Sequence, residues 1–161
     1  MSADQRSGVR PTPSAATASP ASPARLARLR RGSLIVLAAL VAEYGIGMYV
    51  NLYVAVPRSD RGGDLGSVIS GGPAVLSVHA VLGPLLGLGA LAVLLLAVLA
   101  RHWGIAALAA AALLAMALAS VAGTGFTSTG DAADSMAMAV LTGVALLCYA
   151  VILFVLRRVA R

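Results

Sequence analysis

Long apolar runs dominate the chain. Four stretches, 34–56, 73–100, 103–122 and 134–156, consist mostly of Ala, Leu, Val, Ile, Gly and Met, and shorter polar segments separate them. Each can cross a hydrocarbon core of about 30 Å, which takes about 20 helical residues. The runs are continuous rather than alternating, so the two-residue period of a membrane β-strand is missing. The pattern predicts an all-α membrane protein, an antiparallel bundle of four transmembrane helices. The short "ARHWG" link makes the second and third spans a hairpin. Span one runs on past Glu43 behind a long polar tail with no clear small-x-small site, so it reads as an uncleaved helix.

That tail is a different material. "RPTPSAATASPASPARLARLRRG" is rich in Pro, Ser, Thr and Ala and has almost no large apolar residue before Leu26. Residues 1–32 are therefore expected to be disordered, ahead of a transmembrane domain over 33–161. Composition agrees: 11% of the 161 residues are charged, against about a quarter in soluble domains. All twelve basic residues are Arg, and the net charge is +6. They flank apolar spans rather than interleave with aromatics, which argues against nucleic acid as a partner.

The charges also orient the bundle. Arg6, Arg10, Arg25, Arg28, Arg30, Arg31, Arg101, Arg157, Arg158 and Arg161 fall on one face, and only Arg58 and Arg61 on the other. The positive-inside rule then places both termini in the cytoplasm of a bacterial cell, with the chain multi-pass in its membrane. Asp60, Asp64, Asp131 and Asp134 fall on the outer side. Arg25, Arg28, Arg30 and Arg31 would also attract anionic headgroups of the lipid bilayer, at roughly 1 kcal/mol each. The Gly83–Gly87 spacing is of the kind that supports a homo-oligomer or a membrane-complex partner. The lone Cys148 sits in an apolar run and reads as a small core residue.

Polar residues inside the spans carry the candidate chemistry, since polar side chains in lipid tend to face the bundle interior. Glu43 is the only carboxylate at membrane depth, about 20 Å below the outer edge of its span. It shares a helical face with Gly47 and Asn51. Glu43 reads either as a proton-bearing or ligand-binding site, or as a neutral carboxyl bonding a neighbouring helix. His79 lies about 9 Å into span two, on a stripe with Gly83 and Gly87, and Pro84 is expected to loosen the helix there. It reads as a haem ligand or proton carrier, or as a His bonded to a polar partner. His102 is an interfacial residue beside Trp103. It is about 34 Å from His79, so the two cannot ligate one haem within one chain. A His–Met pair would draw on Met48, Met136 or Met138.

The stretch "GTGFTSTGDAADSMAMA" is the longest polar interruption near the outer side. Through Asp134 it reads as a solvent-facing turn, with Ser128, Thr129, Asp131 or Asp134 capping span four. Its carboxylates lack the spacing of a calcium loop, so no metal site is expected. Beyond it, Ser135 and Met138 enter the membrane at the depth of Asn51, His79 and Ser120, with Thr142 one turn deeper. If these face inward they form one polar pocket open to the outer side. Glu43, Asn51, His79, Ser120, Ser135, Met138 and Thr142 are the candidate pocket residues.

"YGIGMYVNLYVAVP", "HAVLGPLLGLGAL" and "GFTSTGDAADSMAMAV…ALLCYA" resemble a group of small four-helix membrane proteins from Gram-positive bacteria over nearly the whole chain after residue 33. The motif residues would be Gly47, Asn51, Pro57, His79, Gly83, Asp131, Ser135, Met136, Met138 and Tyr149. The resemblance implies architecture and no mechanism. "HAVLGPLLGLGAL" is also similar to one half of haem-handling helical proteins such as haem A synthase, which use His on several helices; this chain has one membrane-embedded His.

No nucleophile–base pair, phosphate loop or metal cluster is visible, so an enzyme is not the favoured expectation. The favoured one is a bundle that binds a ligand, lipid or partner in a polar pocket near the outer side. The alternatives are an electron-transfer protein holding haem b or quinone through His79, and a proton-coupled transporter using Glu43 and His79.

Overall fold

The computed structural model describes residues 23–54, Gly66 and 73–159. They form four helices: α1 (Pro23–Tyr53), α2 (Ala74–Leu99), α3 (Trp103–Thr129) and α4 (Ala132–Val159). Each is long and apolar enough to cross a membrane. The protein is an all-α, four-helix membrane bundle. Each helix packs on two neighbours: α1 on α2 and α4, and α3 on α2 and α4. Consecutive helices run antiparallel around a ring, so the α2–α3 turn, Pro23 and Val159 share one end. We call this the Arg end, because Arg25, Arg28, Arg30, Arg31, Arg101, Arg157 and Arg158 lie there, all exposed. The opposite end, where α1 leads toward α2 and α3 turns into α4, is the loop end.

Two boundaries differ from the sequence expectation. α1 starts at Pro23 rather than near residue 34. Proline is preorganised for a first helical turn, and the Arg–Leu–Ala composition that follows favours helix. Leu29 is fully buried in the core, giving this extra length a packing role. Only 1–22 of the expected disordered tail lie outside the described residues. α3 continues to Thr129, two turns beyond the expected end at Ala122. Most of "TGFTSTG" is thus helix rather than loop. Its hydroxyls bond back along the helix: Thr124 donates to the Val121 carbonyl at 2.7 Å and Ser128 to the Gly125 carbonyl at 2.8 Å. Such bonds let polar side chains satisfy themselves without leaving the helix.

Both short connections end their helix on a left-handed residue. Gly130 (φ 74°) ends α3, and Asp131 caps α4 by accepting from the Ala133 N–H at 3.0 Å. At the other turn Arg101 takes φ 58°. There the His102 N–H donates to the Ala97 carbonyl at 3.0 Å and the Arg101 N–H to the Val98 carbonyl at 2.9 Å. This is a Schellman arrangement, with Arg where Gly is usual.

The main core fills the Arg half and extends toward the middle. Leu29, Val93, Ala97, Ile152 and Leu156 pack there, and the cluster reaches Leu40, Leu86 and Met116. Ala106, Ala109, Ala112 and Ala115 are buried along α3, and their small side chains permit close helix approach. A second, small cluster joins Val50 to Leu76 near the loop end. Leu88, Leu99, Val121, Leu147 and Phe154 are exposed, as expected of residues in contact with lipid tails.

Candidate functional site

Above Leu40, Leu86 and Met116 the four helices line a half-open cavity of about 460 Å³. Glu43, Asn51, His79, Ser120, Met138 and Thr142 line it. Ser135, the remaining candidate residue, does not line the wall but donates a hydrogen bond to Asn51 Oδ1 at 2.8 Å, tying α4 to α1.

The central contact is between helices. His79 Nδ1 lies 2.6 Å from Glu43 Oε1. That distance suits a charge-assisted hydrogen bond, but neither His79 Nδ1 nor Glu43 Oε2 has an aligned hydrogen-bond partner among the described residues. We therefore treat it as a close pair with Oε2 left over. Glu43 is buried, only 6% exposed. A carboxyl taken from water into such surroundings is costly unless paired or neutralised.

Gly47 gives the imidazole its place. A Cβ there would stand 3.1 Å from His79 Cε1. The ring rests on α1 at the turn between Glu43 and Gly47. Sequence depths of about 20 Å for Glu43 and 9 Å for His79 below the outer edge do not pair the two residues. α1 ends at Tyr53 and α2 starts at Ala74, which puts Glu43 about 15 Å and His79 about 8 Å from their helix ends. Val50 packs on Leu76 and Gly47 faces the His79 ring, so the two helix ends are nearly level, and the imidazole spans the difference by reaching along α1 from Gly47 to Glu43. The Glu43–Gly47–Asn51 spacing was the available signal: a small residue one turn from an acid marks room for a partner side chain.

The other expectations sort by position. Among the thioethers proposed to pair with His79, Met138 lines the cavity, whereas Met136 is 70% exposed and Met48 does not line it. His102 stays at the Arg end, ahead of α3, with Nε2 buried and unpartnered among the described residues. Tyr149 is fully buried in the main core. No group of three metal-ligating His, Cys, Asp or Glu occurs among the described residues. Asp131 and Asp134 serve the α3–α4 turn, where Thr129 lies 3.4 Å from Asp134 Oδ2. Pro57, Arg58, Asp60, Arg61 and Asp64 lie outside the described residues. No family model, curated protein or solved structure matches the chain.

Proposed function

We propose that this multi-pass membrane protein binds a small amphipathic ligand in the loop-end cavity, with the Arg end in the cytoplasm. The observation that carries this reading is Glu43: a buried carboxyl group with one oxygen unpartnered among the described residues, on the wall of a 460 Å³ cavity lined by all four helices. Cavities of this size, mostly apolar with a few converging polar groups, suit small ligands. The distribution of charge fits the orientation, since every described Arg is at one end.

The test is equilibrium dialysis of the protein in a non-ionic detergent against naphthalene probes. Three heads are compared: aminomethyl, hydroxymethyl and carboxylate. Saturable binding of at least one probe is expected. It should be lost in Gly83→Leu, because Gly83 lines the cavity and a Cβ there meets nothing within 4 Å. Binding of no probe, or binding that Gly83→Leu leaves unchanged, overturns the reading.

A second reading is favoured by the Glu43–His79 contact. Two titratable groups at 2.6 Å can pass a proton, so ligand movement coupled to protons would use them as carriers. Proteoliposomes with an internal pH dye test it. Flux in wild type that is absent in Glu43→Gln supports coupling; no flux in either removes it.

A further inference from the structure

The polar wall of the cavity is biased toward accepting hydrogen bonds. A hydroxyl has one proton and two lone pairs. Among the described residues, all four hydroxyls on the wall spend their proton on their own helix. Ser120 donates to the Met116 carbonyl at 3.0 Å and Thr142 to the Met138 carbonyl at 2.8 Å. Thr124 donates to Val121 at 2.7 Å and Thr127 to Thr124 at 3.0 Å. What each can still offer a ligand is a lone pair.

The remaining groups lean the same way. Pro84 has no N–H to return to the Ala80 carbonyl, and both residues line the cavity. Glu43 Oε2 is an unpartnered acceptor. With its proton assigned to Nδ1, facing Glu43, His79 keeps an Nε2 lone pair. The amide nitrogen of Asn51 is the exception, a donor near the loop end. No Arg among the described residues lines the cavity.

A ligand head that only accepts, such as a carboxylate, would meet lone pairs and a like charge. A head that donates would be satisfied. A protonated amine supplies up to three N–H donors and the charge that offsets Glu43 in a site of low polarity. The apolar part of the wall suits the rest of such a molecule. Phe126 offers an aromatic ring, and Met116 and Met138 are adaptable, polarizable neighbours. We propose that the cavity takes a lipophilic amine in its protonated form, with Glu43 as counter-ion and the Ser120 and Thr142 hydroxyl oxygens as acceptors. This rests on the ligand-binding reading above.

The three naphthalene probes separate the two claims on the wild-type protein alone. The aminomethyl probe should bind at least about tenfold more tightly than the hydroxymethyl probe, the step expected of a charge-assisted hydrogen bond, and the carboxylate most weakly. Glu43→Gln should bring the amine and alcohol within about twofold, chiefly through loss of amine affinity. Should Glu43→Gln fail to give monodisperse protein, Ser120→Ala with Thr142→Val takes its place, weakening the amine by about threefold or more. Alcohol or carboxylate binding as tight as the amine overturns the amine assignment and leaves ligand binding standing. Loss of all three probes overturns both. A tenfold amine preference that survives Glu43→Gln, or unaltered amine binding in the double variant where that is used, also overturns the assignment.

Discussion

At the Arg half of the bundle, Ala90, Ala97, Ala109 and Ala112 are fully buried and the helices close on one another. At the loop half, the same four helices leave a cavity, with a buried acid on its wall. Both halves use small residues, to opposite effect. On α3 the alanines sit at helix contacts, so small side chains bring backbones together. Gly83 on α2 meets nothing where its Cβ would be, so the missing side chain becomes empty space. Gly47 does a third thing: the room it leaves is filled by His79. A small residue in a membrane helix is thus informative only once its neighbour is known.

The sharpest test of this contrast is the polar pair. His79→Ala would leave Glu43 buried without its partner. It should cost about 1–3 kcal/mol, the cost of leaving a buried polar group without its partner. Unfolding titrations in mixed detergent micelles measure this, and a loss below about 1 kcal/mol would mean that the pair does not hold α1 to α2.

Volume tests come next. Ala112→Leu adds bulk where none fits and should destabilise by about 1–3 kcal/mol. Gly83→Leu adds similar bulk over the cavity and should be neutral or stabilising by up to about 1 kcal/mol, through better helix propensity. Equal losses at both positions would erase the distinction between a packed and an open half.

Gly47→Ala probes the boundary between them. The new methyl presses on the imidazole, and the strain exceeds the helix-propensity gain, for a net loss of about 1 kcal/mol. Displacement of the ring would show as a changed His79 side-chain NMR resonance; an unmoved resonance would count against this docking.

The smallest effect expected is at the turns, each of which ends its helix on a left-handed residue. Arg101→Gly should stabilise by about 0.5–1 kcal/mol by removing the cost of a left-handed non-glycine residue. Gly130→Ala should cost about the same. A destabilising Arg101→Gly would show that the guanidinium contributes more to the Arg end than its backbone costs.

Much of the architecture was legible because the bilayer imposes a length and an apolar content on any spanning helix. The four spans, the tight α2–α3 turn and the segregation of Arg follow from one-dimensional pattern alone. Helix ends were less legible. The α3 extension is hard to read from sequence because Thr and Ser look like loop formers, whereas here their protons return to carbonyls three or four residues back. Leu29, by packing into the core, likewise makes part of an apparent tail into helix.

The polar positions themselves could be chosen from sequence, since few polar residues occur in the spans and those in lipid tend to face inward. Their partners could not. Which residue Glu43 meets depends on the register between α1 and α2, set by side-chain packing across the interface. Sequence determined that this chain forms four membrane helices with a handful of polar residues near one end. Only tertiary structure decided that Glu43 lies against His79, that Ser135 reaches Asn51, and that a cavity separates the rest. The physical reason is that spanning is a property of each helix in its solvent, while register and void are properties of helices against each other.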